Sequence, residues 1–267
     1  MFHMNTTAVD ILKQSFNFYG RLFNKIFWLS VAYSLLPMLI GGAIMGGGAA
    51  NNSIGIMLLG IAVAMFTVCF FYAYQVVLIN QFSEDKNDSL KDALPIALSK
   101  TFPFVCSALA LGFVFLIVTI PVAGIAGSYL GEDLTPESDP IKFMVISLII
   151  LAPIAWLAYR FIFVPFHVIL NGSSIISAFG KSNQQVKSDW LVFRGLNVIG
   201  LIFIIYMVGL FLIQFMIALN PMLIAFVQFA FGILISPFFT IYLYRLFVVT
   251  QQKSQNESQS TDLDADD

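Results

Sequence analysis

SSIISAFGKSNQQVKSDWLVFRGLNVIGLIFIIYMVGLFLIQ, residues 173–214, joins a polar-faced helix to a long uncharged apolar run. In its first part Ile175, Ala178, Phe179, Ser182, Val186 and Trp190 share one helical face, with Lys181, Gln184, Lys187 and Ser188 broadly opposite. After Arg194 the next charged residue is Arg245, so the stretch between them can sit in hydrocarbon. Such a stretch reads as an interfacial helix leading into a membrane span, and the rest of the chain repeats that grammar.

Composition agrees. Hydrophobic residues make up 59% of the 267 and charged residues 10%, with a mean hydropathy of +0.88; a soluble domain carries about 25% charged residues. The net charge of -2 conceals a division, because Glu257, Asp262, Asp264, Asp266 and Asp267 crowd into the C-terminal tail and leave the membrane-adjacent chain net basic. Cys69 and Cys106 lie near or inside apolar segments without CxxC spacing and read as small core residues rather than a disulfide or metal pair.

Apolar segments at 26–45, 54–81, 102–130, 143–168, 191–219 and 222–249 give six predicted spans. Each reaches the roughly 20 residues that cross about 30 Å of hydrocarbon, and none reaches the roughly 40 that two crossings need. The predicted fold class is therefore an all-α polytopic membrane protein: six transmembrane helices as three hairpins, each preceded by a cytoplasmic amphipathic interfacial helix. Those amphipathic segments are 7–23, 89–100 and 174–189, and with their hairpins they suggest repeats at 7–81, 89–168 and 174–249 within a membrane domain of residues 1–250.

In the first segment Val9, Leu12, Phe16, Tyr19, Phe23 and Ile26 form an apolar face, and Asp10, Gln14, Asn17, Arg21 and Asn24 a polar one. Such a helix is expected to lie in the headgroup plane. Thr7 followed by Asp10 is a predicted N-terminal cap, and Asp92 is a predicted cap with Pro95 in the first turn behind it. The tail, 251–267, is polar and acidic and is predicted to be disordered in the cytoplasm.

Eleven of the 13 Lys and Arg residues lie on one side: before span one, between spans two and three, between four and the first residues of five, or from the last residues of six onward. Lys142 is outside this pattern, and Arg160 lies near the inner end of span four, from which it can snorkel to headgroups. Both termini are accordingly predicted to be cytoplasmic.

Chemistry is scarce. No Asp or Glu lies in the interior of a predicted span, which weighs against ion-coupled transport. His3 and His167 are in no HExxH motif, and there is no GxSxG elbow, carboxylate pair or Gly-rich phosphate loop. His167 reads as a hydrogen-bonded interfacial residue. The reading is a non-enzyme without cofactor or metal, and the bases are too few and dispersed for nucleic acid. Two sets of binding residues remain. Lys13, Arg21, Lys25, Lys100, Arg160, Lys181, Lys187, Arg194 and Arg245 are candidate contacts for anionic headgroups, worth about 1 kcal/mol per base near the surface. Gln75, Asn197, Tyr206, Gln214 and Gln228 are uncharged polar residues within spans, able to act as interhelical glue or to line a polar cleft. Pro37, Pro121, Pro153, Pro165 and Pro237 are expected to kink spans, and Gly41, Gly42 and Gly46 to allow close packing or open cavities.

The run FVPFHVILNGSSIISAFGKSNQQVKSDWLVFRGLNVIGLIFI (163–204) and the closing IYLYRLFVV (241–249) resemble the YciC-like family of uncharacterised bacterial inner-membrane proteins. In that family a span ending in a Pro-hydrophobic-Val pattern leads to a Ser/Ala-rich amphipathic helix, then a Trp and the next span. The resemblance covers most of the chain and departs at the longer acidic loop, 127–142. It implies a Gram-negative inner membrane and carries no known activity. Together with the residues it suggests a protein that organises, senses or supports the membrane through lipids or a membrane-protein partner, including another copy of itself. A passive or lipid-handling transporter is the alternative.

Overall fold

A computed structural model describes residues 7–84, 90–130, 140–216 and 221–263, and among these every regular element is a helix. The order is α1 (Ala8–Ala50), α2 (Ile54–Ser83), α3 (Leu90–Leu130), α4 (Pro140–Phe161), α5 (Val164–Ile169), α6 (Ile175–Ser188), α7 (Trp190–Met216) and α8 (Pro221–Leu263). Five stretches are long and apolar enough to cross a membrane: Ala8–Ala50, Ile54–Ser83, Leu90–Gly124, Leu148–Ile169 and Gly232–Ser254. A sixth is counted if Ile175–Lys187 and Trp190–Ile205, bent by 91°, make one span. These helices fit a membrane-embedded protein.

α1 starts as its sequence dictates. Asp10 N–H donates to Thr7 Oγ1 at 3.2 Å and Thr7 N–H to Asp10 Oδ2 at 3.0 Å, a complete capping box. The helix then runs unbroken through Pro37 to Ala50. Here the structure departs from the separate headgroup-plane helix expected over 7–23, since that amphipathic segment is the extended end of the span itself. α3 likewise joins its amphipathic segment to its span. Its described part begins at Leu90, which puts Asp92 in the first turn and Pro95 in the interior, not the cap and first turn expected. Only the third segment, α6, is a separate helix, because the chain turns extended at Asp189 before α7.

α2 returns along α1 after the turn at Asn51, Asn52 and Ser53. Asn52 takes a left-handed conformation, φ 50°, and the Ser53 hydroxyl caps the Ile56 N–H. Close approach is built into the sequence: a Cβ on Gly41 would stand 2.6 Å from Ala64 Cβ, and one on Gly60 would stand 2.6 Å from Met45 Cγ. Gly42 and Gly46 face nothing within 4 Å, so of the glycines in that cluster Gly41 makes the packing contact.

Predicted span four is broken. α4 ends at Phe161 and α5 begins at Val164, with Pro165 in the first turn of the new helix. Proline has no N–H to continue the ladder, and its ring crowds the carbonyl four residues back. Predicted span six also differs beyond its end. α8 continues through 251–263, where disorder was expected. That stretch contains neither Gly nor Pro, and its start is anchored by Thr250 and Lys253.

Packing is concentrated at the basic end. One apolar cluster joins Ile11, Phe18, Leu22 and Ile26 of α1, Val76–Ile79 of α2, Ala93 and Ala97 of α3, α5, Ala178 and Val186 of α6, and Ile241–Phe247 of α8. α8 is the central helix: its apolar window is 56% buried, against 11% for α2 and α3. Toward the other end Leu58, Leu59, Phe113, Ile117, Ile120, Leu148, Leu201 and Ile204 are exposed, as lipid-facing residues must be. The three amphipathic segments meet the cluster in the same way. Four residues into each, Ile11, Ala93 and Ala178 are fully buried, and eight residues in so are Ser15, Ala97 and Ser182.

Candidate functional site

Polar groups that the sequence scatters from Asn80 to Gln252 converge at the basic end, around α5 and α8. The break between α4 and α5 frees backbone groups that cannot stay unpaired away from water. α6 supplies the remedy: Ser182 Oγ donates to the Arg160 carbonyl at 3.0 Å and accepts the Phe163 N–H at 3.2 Å. Asn183 Oδ1 accepts from Arg160 Nη1 at 2.9 Å. Arg160, a predicted headgroup contact, is half-buried, with its guanidinium 5.2 Å from the Trp156 ring centroid.

One turn further along α6, Gln185 ties three elements together. Its Nε2 must face the Phe247 carbonyl, at 3.1 Å, because a carbonyl can only accept; it also reaches Thr250 Oγ1. Gln185 Oε1 therefore faces His167 Nε2, 3.0 Å away, and the imidazole carries its proton on Nε2. His167 Nδ1 is then an acceptor, served by Asn171 Nδ2 at 3.2 Å. Both ring nitrogens are used, and the ring stands edge-on to Phe247 at 5.0 Å. This is the hydrogen-bonded histidine the sequence suggested, now with named partners.

Beside this network lies a cavity of about 410 Å³, within the range of small-ligand sites. The end of α2 contributes Asn80, Ser83 and Glu84, the turn after α5 contributes Leu170 and Asn171, and α8 contributes Tyr244, Arg245, Phe247, Val248, Gln251 and Gln252. One wall is internally satisfied. Tyr244 Oη donates to Asn80 Oδ1 at 2.9 Å and shares a hydrogen bond with Ser83, while Asn80 Nδ2 donates to Glu84 Oε1 at 3.3 Å. Arg245 is different. Its guanidinium lies 4.7 Å from the centroid of the buried Phe18 ring, and its shielded Nε meets no acceptor. Arg21 approaches the same ring at 5.7 Å, so two like charges flank one aromatic side chain.

The other predicted headgroup contacts divide. Lys13, Arg21, Lys25, Lys181, Lys187 and Arg194 are exposed around this end, and Lys100 is half-buried. Lys25 sits over Phe82 at 4.3 Å and Arg194 over Trp190 at 5.7 Å. Lys100 packs against Gly172, which takes φ +58° to turn the chain after α5, and Lys181 donates to Ser173 Oγ.

Of the predicted intramembrane polar residues, the structure describes the side chains of Gln75 and Asn197. Gln75 is buried with its Nε2 unpaired, whereas Asn197 is exposed. The side chains of Tyr206, Gln214 and Gln228 lie outside the described residues, as does 131–139 of the acidic loop.

Sequence reasoning missed Asn80, Asn171, Gln185, Gln251 and Gln252. The available signal was the density of amides just past the apolar ends of spans two, four and six. Cys69, buried, and Cys106, half-buried, are free thiols. No family model, curated protein or solved structure matches this chain.

Proposed function

We propose that this chain is a non-enzymatic, multi-pass protein of a bacterial inner membrane, of the YciC-like kind, that organises or senses the membrane by holding anionic lipid at its cytoplasmic face. In this reading both termini are cytoplasmic, and the chain comprises three repeats of an amphipathic segment and a hairpin. The matched burial of Ile11, Ala93 and Ala178, and of Ser15, Ala97 and Ser182, supports the repeat. The observation that carries the function is the gathering of Arg21, Lys25, Lys181, Lys187, Arg194 and Arg245 around the end where the apolar core of the described residues lies. A rigid end bearing a ring of bases attracts anionic headgroups from one leaflet.

The test replaces Lys13, Arg21, Lys181 and Lys187 with Gln and measures enrichment of phosphatidylglycerol around the protein in mixed nanodiscs. Loss of enrichment is expected; an unchanged lipid shell refutes the reading.

A lipid-handling transporter is the second reading. It is favoured by an apolar groove of about 280 Å³ between α3 and α5, lined by Phe104, Ser107, Leu111, Phe115, Val164 and Pro165, which suits an acyl chain. Accelerated exchange of labelled lipid between leaflets in proteoliposomes would support it; exchange at the rate of protein-free vesicles would refute it.

A further inference from the structure

We propose that the cavity between α2, α5 and α8 is a stoichiometric binding site for a phosphodiester bearing a hydroxyl-rich group, with Arg245 as its anion contact. The proposal rests on the lipid-binding reading above and deepens it, moving from a diffuse ring of bases to one built site. Three observations carry it.

The first is a charge with an unpaired donor. Arg245 lines the cavity, is partly buried, and its shielded Nε meets no acceptor; its guanidinium rests on the Phe18 ring. A guanidinium is a planar fork suited to two oxygens of one phosphate. Held against an aromatic face it is also pre-oriented, which reduces the ordering required when the anion arrives.

The second is the neutral remainder of the lining. Asn171, Gln251 and Gln252 place amides around the same space, and Ser83 and Tyr244 add hydroxyls. Amides both donate and accept, so they suit alcohol groups better than a second phosphate. The Glu84 carboxylate at the end of α2 opposes highly charged anions and selects for a singly charged diester.

The third is position. From Arg245 to Gln252 the wall climbs about 10 Å along α8 at about 1.5 Å per residue, from the packed core to the polar extension of the helix. That span matches a headgroup entering beside the bundle, and it also admits a soluble phosphodiester from the aqueous side.

Native mass spectrometry of the full chain tests the site, titrating phosphatidylglycerol, phosphatidylcholine and the soluble diester glycerophosphoglycerol. One phosphatidylglycerol per chain is expected to bind at least tenfold more tightly than phosphatidylcholine. Arg245→Gln is expected to weaken this single event at least tenfold, and Gln251→Met, which keeps the charge and the approximate size but removes the amide, several-fold. The variant Lys13→Gln/Lys181→Gln/Lys187→Gln alters residues outside the cavity and should leave it within about threefold. Binding of glycerophosphoglycerol comparable with the lipid assigns the site to a soluble diester, and binding of the lipid alone assigns it to the bilayer; either supports the site. Equal binding of the two lipids overturns the proposal. So does unchanged binding in both Arg245→Gln and Gln251→Met, with folding verified by an unaltered elution profile. If the triple variant loses lipid enrichment while the single tight event persists, the ring of bases and the cavity are separate. If enrichment survives in that variant but Arg245→Gln loses the event, only the cavity stands.

Discussion

His167 Nε2 stands 3.0 Å from Gln185 Oε1, joining the short helix that follows a broken span to the helix that lies across it. Gln185→Leu keeps the volume and removes every polar contact, leaving the imidazole N–H without its partner, while the Phe247 carbonyl keeps the Thr250 hydroxyl at 3.1 Å. Each buried group so orphaned costs about 1–3 kcal/mol. A clear fall in detergent melting temperature is expected, larger than for the exposed control Gln184→Leu.

Ser182 is fully buried and serves two backbone groups at the α4–α5 break. Ser182→Ala is expected to cost about 1–3 kcal/mol and to raise amide hydrogen exchange across 161–164 and 175–188 together. Exchange rising in only one of these segments would show that α6 does not brace the break.

Close approach of α1 and α2 rests on Gly41 and Gly60, and Gly42 faces open space. Gly41→Val should destabilise by about 1–3 kcal/mol, the usual range for overpacking, with Gly42→Val much milder. Equal effects in thermal unfolding would contradict this assignment of the two faces.

Lys253 Nζ meets Asp189 Oδ1 at 3.2 Å, and the same oxygen accepts the Leu191 N–H at 2.9 Å. Lys253 is half-exposed, so its removal should cost no more than about 1 kcal/mol and lose effect at high salt. Asp189→Ala removes the cap as well and should cost more. A double-mutant cycle at two salt concentrations separates the terms.

Hydropathy made the helical, membrane-embedded character legible, because an uncharged run such as that from Arg194 to Arg245 has few other uses. The Thr7–Asp10 box was legible for a simpler reason, since both partners lie within one turn. Continuity was less so. Amphipathicity reports which face is apolar, not whether a helix bends where its face changes, and α1 and α3 run straight on where α6 and α7 turn through 91°. Pro165 read as a kink within one span, but the break also depends on Ser182, seventeen residues later, to satisfy what the proline disrupts. The cavity was illegible. Asn80, Asn171 and Arg245 are brought together only by the packing of α2, α5 and α8, and Gln251 and Gln252 looked like the start of a tail.

The uneven burial along the bundle has a mechanical meaning. At the basic end the side chains of α1, α5, α6 and α8 interlock, so that end keeps its outline whatever surrounds it. Toward the far end, among the described residues, Leu58, Leu59, Phe113, Ile117, Leu148 and Leu201 stay exposed. A change of volume at Phe166 or Phe247 is therefore felt by several helices at once, whereas one at Phe113 or Leu148 is felt by its own helix alone.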